Sequence, residues 1–267
     1  MSHRYLARLL VAVGALATLT PAAAAGQVFG GADRDVPLAR FQDPLCPGVV
    51  GIQLEQAQEI VGLIRDNAQM LGLRLADSKS CDPNVIVAVM DDPQGFLKEL
   101  VKKRPYLLQE LGKRQRERLL AGSGPVRSWA RIEVRTRDGL MIPRRVNLDE
   151  LPQTTQQMAH SKIYTATRRD IISAMVLVEP SAVHGLSVTQ LADYATMRAL
   201  SDDAGEAIPA PHATILHLFD ASGEKPAGLT GSDWIFLKTL YSTEPNDPAA
   251  ITLAMANDRI ARGQPGQ

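Results

Sequence analysis

Apolar residues recur along this chain with two different periods, and the alternation between them predicts its elements. Leu54, Ala57, Ile60, Val61, Ile64, Ala68 and Leu71 repeat at helical spacing and Gly72 stands at a stopping position, which predicts one long amphipathic helix. Val85 to Val89 is a short unbroken run rich in β-branched residues and reads as a buried strand, closed by Asp91-Asp92-Pro93. Asp92 is placed to cap a helix opened by Pro93, with Phe96, Leu97, Leu100 and Val101 on one face. A second, Arg- and Lys-rich helix is expected from Pro105 to Leu120, broken by Gly122-Ser123-Gly124-Pro125. Ala130, Ile132 and Val134 then alternate with Arg131, Glu133 and Arg135 ahead of Asp138-Gly139, the pattern of a tight hairpin. The return strand, Leu140 to Val146, carries Pro143 and belongs at an edge or a bulge, and Leu148 to His160 reads as a polar loop.

In the last third, Ile171 to Val178 is a continuous apolar strand, and Ser187 with Gln190 forms a capping box that opens the helix Ser187-Leu200. Thr214 to Phe219 is a short apolar element. Thr230 with Asp233 gives a second capping signature, and a final helix starts after Asp247-Pro248. Too few strands lie on either side of Gly122–Pro125 to close separate cores, so a single α+β domain is expected over residues 26–262: one mixed sheet with flanking helices, followed by a flexible tail at 263–267.

The first 25 residues have a different character. Arg4 and Arg8 precede the uncharged run Leu9 to Leu19, then Pro21 and the small residues Ala22 to Ala25, which together make a signal peptide with cleavage near Gly26 or Gln27. The expected compartment is the periplasm or the medium. No later segment approaches the roughly 20 apolar residues of a transmembrane helix, so none is expected in the mature chain. In an oxidising compartment Cys46 and Cys81, the only cysteines, are expected to pair as one structural disulfide; their spacing offers no Cys-x-x-Cys redox motif.

Composition narrows the partners. With 45% hydrophobic residues the chain can bury a sizeable core, while a formal net charge of +0 and 4% aromatic residues argue against nucleic-acid binding. Basic residues gather from Lys102-Lys103-Arg104 to Lys113-Arg114, Arg116 and Arg118. This is either a solvated helix face or a contact for an anionic partner in the cell envelope, such as lipid headgroups or an acidic polymer, and the latter attraction would weaken with salt.

The succession from Ala174–Val178 through Gly185-Leu186-Ser187-x-x-Gln190-Leu191-Ala192-Asp193-Tyr194-Ala195-x-Met197 to Ile215-Leu216-x-Leu218-Phe219 and Leu229-Thr230-x-x-Asp233 resembles a group of uncharacterised exported proteins of Gram-negative bacteria. It is more distantly similar to zincin-type metallopeptidase-like domains, and that resemblance implies a zincin-like element order. In such domains a His-Glu-x-x-His helix places two imidazoles one turn apart, with the Glu serving a metal-bound water. Gln190, Leu191 and Tyr194 fall at those positions here, and an amide, an isobutyl group and a phenol would not hold zinc.

Other chemistry is equally sparse. His184, His212 and His217, with Asp193, are the remaining metal candidates; His212 and His217 would project from opposite faces of a strand. There is no Gly-x-Ser-x-Gly elbow and no phosphate loop with its Lys. No catalytic residue, metal ligand or cofactor is therefore assigned. The leading expectation is an exported non-catalytic domain that binds a partner protein or small ligand in the groove. The alternatives are a metal-dependent peptidase or other hydrolase with a non-standard ligand set, and a structural envelope-associated protein.

Overall fold

In the computed structural model, residues 29–30, 33–108, 111, 113–122, 124–142, 165–201, 206–207, 214–220 and 225–263 are described. The N-terminal 25 residues, the Leu148 to His160 stretch, His212 and the tail at 264–267 lie outside them.

The β-branched runs assemble around one long strand. After β1 (Phe29–Gly30) and β2 (Arg40–Phe41) come β3 (Pro47–Val50), helix α1 (Leu54–Met70) and β4 (Val85–Val89). Two further strands, β5 (Val126–Thr136) and β6 (Thr167–Val178), are longer than the alternation predicted. β6 lies against antiparallel β5 along one edge, from Val126↔Val178 to Thr136↔Thr167. Its other edge is shared: β2 pairs in parallel at Asp170 and Ile171, and β4 pairs in parallel from Ala174 to Val178. β3 then adds in parallel to β4. The sheet is therefore mixed, with parallel strands β3, β4 and β6 and antiparallel β5, and helices flank it. Parallel neighbours need a crossover, and α1 supplies it between β3 and β4.

Each face of the sheet has its own cover. Over one face pack α2 (Pro93–Lys103), a 3₁₀ turn (Pro105–Leu108) and α3 (Lys113–Ala121), whose Leu97, Leu108 and Leu119, with Leu111 between the last two elements, meet Trp129 and Leu177. The single helix expected over Pro105 to Leu120 is thus two pieces. Over the other face pack α1, α5 (Val188–Leu200), the 3₁₀ turn Ile215–Phe219, α6 (Gly231–Ser242) and α7 (Ala249–Ala261). A short α4 (Pro180–Val183) links β6 to α5, and β7 (Glu206–Ala207) pairs with β1 apart from the main sheet. The return of the 137–140 turn shows in an isolated antiparallel bridge from Arg135 to Met141; the rest of the expected return strand lies outside the described residues.

Local signals hold the helix ends. Asp92 accepts from the Gly95 amide at 2.7 Å with Pro93 in the first turn of α2. α1 ends where Gly72 takes φ +75°: its amide turns to Gln69 O at 2.9 Å, and the Leu73 amide reaches back to Ala68 O at 3.0 Å in its place. The Cys46–Cys81 disulfide, with Cα atoms 6.1 Å apart, ties the start of β3 to the chain entering β4. Among the described residues no helix is long and apolar enough to cross a membrane.

One charged side chain is built into the packing. Arg40 of β2 is 2% exposed; its Nη1 donates to Thr243 O at 2.8 Å and its Nη2 to Glu244 O at 3.2 Å, which docks the end of α6 on the sheet. Burial lowers its pKa to about 10, against the nearby Tyr241, Asp247, Glu244 and Asp170. Beside it the Tyr241 hydroxyl donates to Leu200 O at 3.0 Å and accepts from the Phe41 amide at 3.2 Å.

Candidate functional site

Parallel strands that end together leave a crevice at their carboxyl ends, because the chain must turn away there into the next helix. Here Gly51 follows β3, Val89 ends β4 and Pro180 follows β6, and all three line one cleft of about 390 Å³. Its walls come from the first turns of α1 (Gln56, Ile60) and α5 (Val188, Leu191), and from the segment between α4 and α5 (Val183, His184, Gly185, Leu186, Ser187). Ile52, Ile60, Val89, Val183, Leu186, Val188 and Leu191 are its apolar side chains; Gln56, His184 and Ser187 are its polar ones.

Two glycines shape the cleft. Gly51 has φ +86°, and a Cβ there would lie 1.9 Å from the Val89 carbonyl oxygen, so the ends of β3 and β4 close up only with glycine at this point. Gly185, at φ +80°, turns the chain between α4 and α5. We expect Gly51→Ala to cost about 2 kcal/mol in urea unfolding, from the left-handed backbone and the clash together. A loss below half of that would show that the two strand ends part freely.

The helix positions singled out in the sequence have other work. Ser187 Oγ accepts from the Gln190 amide at 3.1 Å and Gln190 Oε1 accepts from the Ser187 amide at 2.9 Å, the reciprocal capping box. The remaining Gln190 donor, Nε2, reaches Pro226 O at 2.7 Å. Leu191, buried, forms part of the cleft wall. Tyr194 is buried, meets Phe219 edge to face at 4.7 Å between ring centroids, and accepts from Arg198 Nε at 3.0 Å.

Of the histidines, His184 is exposed at the rim of the cleft. His217 sits on the 3₁₀ turn Ile215–Phe219, not on a strand as its spacing from His212 suggested, and it does not line the cleft. Asp193 is committed to packing: Oδ1 accepts from Asn67 Nδ2 and Oδ2 from the Leu229 amide, both at 2.7 Å, joining α1, α5 and the approach to α6. Among the described residues no three His, Cys, Asp or Glu side chains gather so as to hold a metal ion. Sequence pattern points to Leu191 and His184 but not to Gly51, Ile60, Val89 and Pro180 as site residues, since these carry no chemical signature. Their signal was a strand running into glycine and then a helix, since a β-α-β unit places its crevice at that junction.

Compared with protein families, curated proteins and solved structures, the chain matches none.

Proposed function

We propose that this protein is an exported, non-catalytic domain of zincin-like element order that binds a partner protein or small ligand through an apolar group inserted into the cleft at the carboxyl ends of β3, β4 and β6. The observation that carries this is the cleft itself: a volume of about 390 Å³, suited to a small ligand or one or two side chains, where aliphatic side chains stand beside the polar Gln56, His184 and Ser187 and exposed backbone that can orient the guest. The paired disulfide is consistent with an extracytoplasmic location. The engagement of Gln190 and Tyr194 in capping and ring packing supports a binding role for this helix end rather than a hydrolytic one.

Amide NMR during titration with indole, isovalerate and octanoate tests the cleft. Shifts are expected to cluster at Gly51, Ile60 and His184 to Leu191, and to vanish in Val188→Trp, whose indole fills the same volume. Shifts scattered elsewhere, or unchanged in Val188→Trp, would remove the cleft as the binding site. Zinc content of protein purified without a His tag tests the non-catalytic half. Stoichiometric zinc whose chelation abolishes a hydrolytic activity would instead establish the metal-dependent hydrolase, with His184 at the cleft rim as the first ligand to replace.

A further inference from the structure

The charge of this chain is unevenly placed. Residues 93–122 hold eight basic against three acidic residues, leaving 21 basic against 26 acidic in the rest of a chain whose formal net charge is +0. That segment is the α2 and α3 cover on one face of the sheet. α2 turns Leu97, Leu100 and Val101 onto the sheet, and Lys98 and Lys102, one turn apart, share an exposed side. Arg104 follows, also exposed, and Lys103 is offset by Glu99 at 3.2 Å in a solvent-exposed pair that holds little energy.

Two aromatic side chains border these cations with their rings partly in solvent: Phe96, 37% exposed, on the flank of α2 that also carries Glu99 and Lys103, and Tyr106, 50% exposed, in the turn after Arg104. In a chain with so few aromatic residues this placement is informative. Cations alone would suit any polyanion, whereas exposed rings flanking lysine and arginine suit the headgroup level of a bilayer, where the rings enter the interface and the cations meet anionic lipid.

We propose that the outer face of α2 and the following turn, bearing Phe96, Lys98, Lys102, Arg104 and Tyr106, docks on the surface of an anionic lipid bilayer. This surface is separate from the cleft at the carboxyl ends of the strands. It associates by charge and shallow ring insertion without spanning the membrane.

Flotation of the intact protein with vesicles of phosphatidylglycerol and phosphatidylcholine, mixed at about one to two, tests it against vesicles of phosphatidylcholine alone. Binding is expected to the anionic vesicles only, and to weaken roughly 100-fold between about 0.05 and 0.5 M NaCl. The triple substitution Lys98→Gln, Lys102→Gln, Arg104→Gln is expected to lower the partition coefficient roughly 100-fold. The pair Phe96→Ser, Tyr106→Ser should lower it roughly tenfold. Should the triple variant unfold, the salt dependence and the aromatic pair still decide. Absence of binding above the phosphatidylcholine level overturns the proposal, as does a folded triple variant that binds like the wild type. An aromatic pair that binds like the wild type, or polyglutamate that displaces the vesicles at equal charge, marks a general polyanion face and overturns the bilayer assignment.

Discussion

Alanine at both Cys46 and Cys81 is expected to lower the free energy of unfolding by about 3–4 kcal/mol, a large share of what holds a domain of this kind folded. The bridge joins residues separated by 35 positions, and the loop it closes contains β3, the whole of α1 and the chain entering β4. In the unfolded chain that closure removes conformations, and loss of this restriction is the main cost of the double substitution. The folded structure keeps the junction by other means. Asn84 Oδ1 accepts from the Cys46 amide at 2.8 Å and Asn84 Nδ2 donates to Pro44 O at 2.9 Å. The Asn84 amide returns to Cys46 O at 2.9 Å, and the Leu45 amide reaches Arg74 O at 2.8 Å. The double variant should therefore fold to the same structure with a lower urea midpoint and a somewhat larger denaturant dependence, because its unfolded state is more expanded. Reduced wild type should fall within about 1 kcal/mol of the variant. A loss below about 1 kcal/mol would mean that unfolded-state restriction is not what the bridge supplies.

Where one residue type in one pattern has a single physical use, the sequence was a sufficient guide. The helical period has only one way to bury its apolar stripe, which α1 does from Ala57 to Ala68 while Leu54 at its start stays exposed, and the Asp92-Pro93, Ser187-Gln190 and Thr230-Asp233 pairs satisfy backbone groups within their own turn. None of these needs the rest of the molecule. Sheet order does: that β2 and β4 share one edge of β6 depends on which runs meet across more than 80 residues, and alternation within a run is silent about partners. The cleft was hidden for the same reason, since Gly51, Val89 and Pro180 come together only when three parallel strands end in line. Asp193 has a use that no local pattern announces. Its two oxygens accept from Asn67 and the Leu229 amide, both distant in sequence, so its part in joining α1, α5 and the approach to α6 emerges only in the fold.

The second large effect is expected at Asp233, where the capping box does more than close a helix. This carboxylate is fully buried and accepts from the Thr214 hydroxyl at 2.5 Å, the Ile215 amide at 2.8 Å, and the Thr230 amide and hydroxyl, each at 2.9 Å. It thereby fastens the 3₁₀ turn Ile215–Phe219 to the start of α6. Asp233→Ala strands these buried donors together and is expected to cost about 3 kcal/mol in urea unfolding at neutral pH. Asp233→Asn keeps an acceptor for the amides and can donate to the Thr214 oxygen, so about 1 kcal/mol is expected there. Burial raises the Asp233 carboxyl above its ordinary value, against the lowering pull of the hydrogen bonds from Thr214, Thr230 and Ile215. A raised folded-state value means that the folded protein takes up this proton at a pH where the unfolded chain has not. The resulting contribution is fully present below the unfolded carboxylate value and is lost as pH rises through the folded one. Wild type should therefore gain stability relative to Asp233→Asn as pH falls from neutral through that window. A wild-type advantage that shrinks on acidification would mean the hydrogen bonds outweigh burial and hold the carboxylate charged.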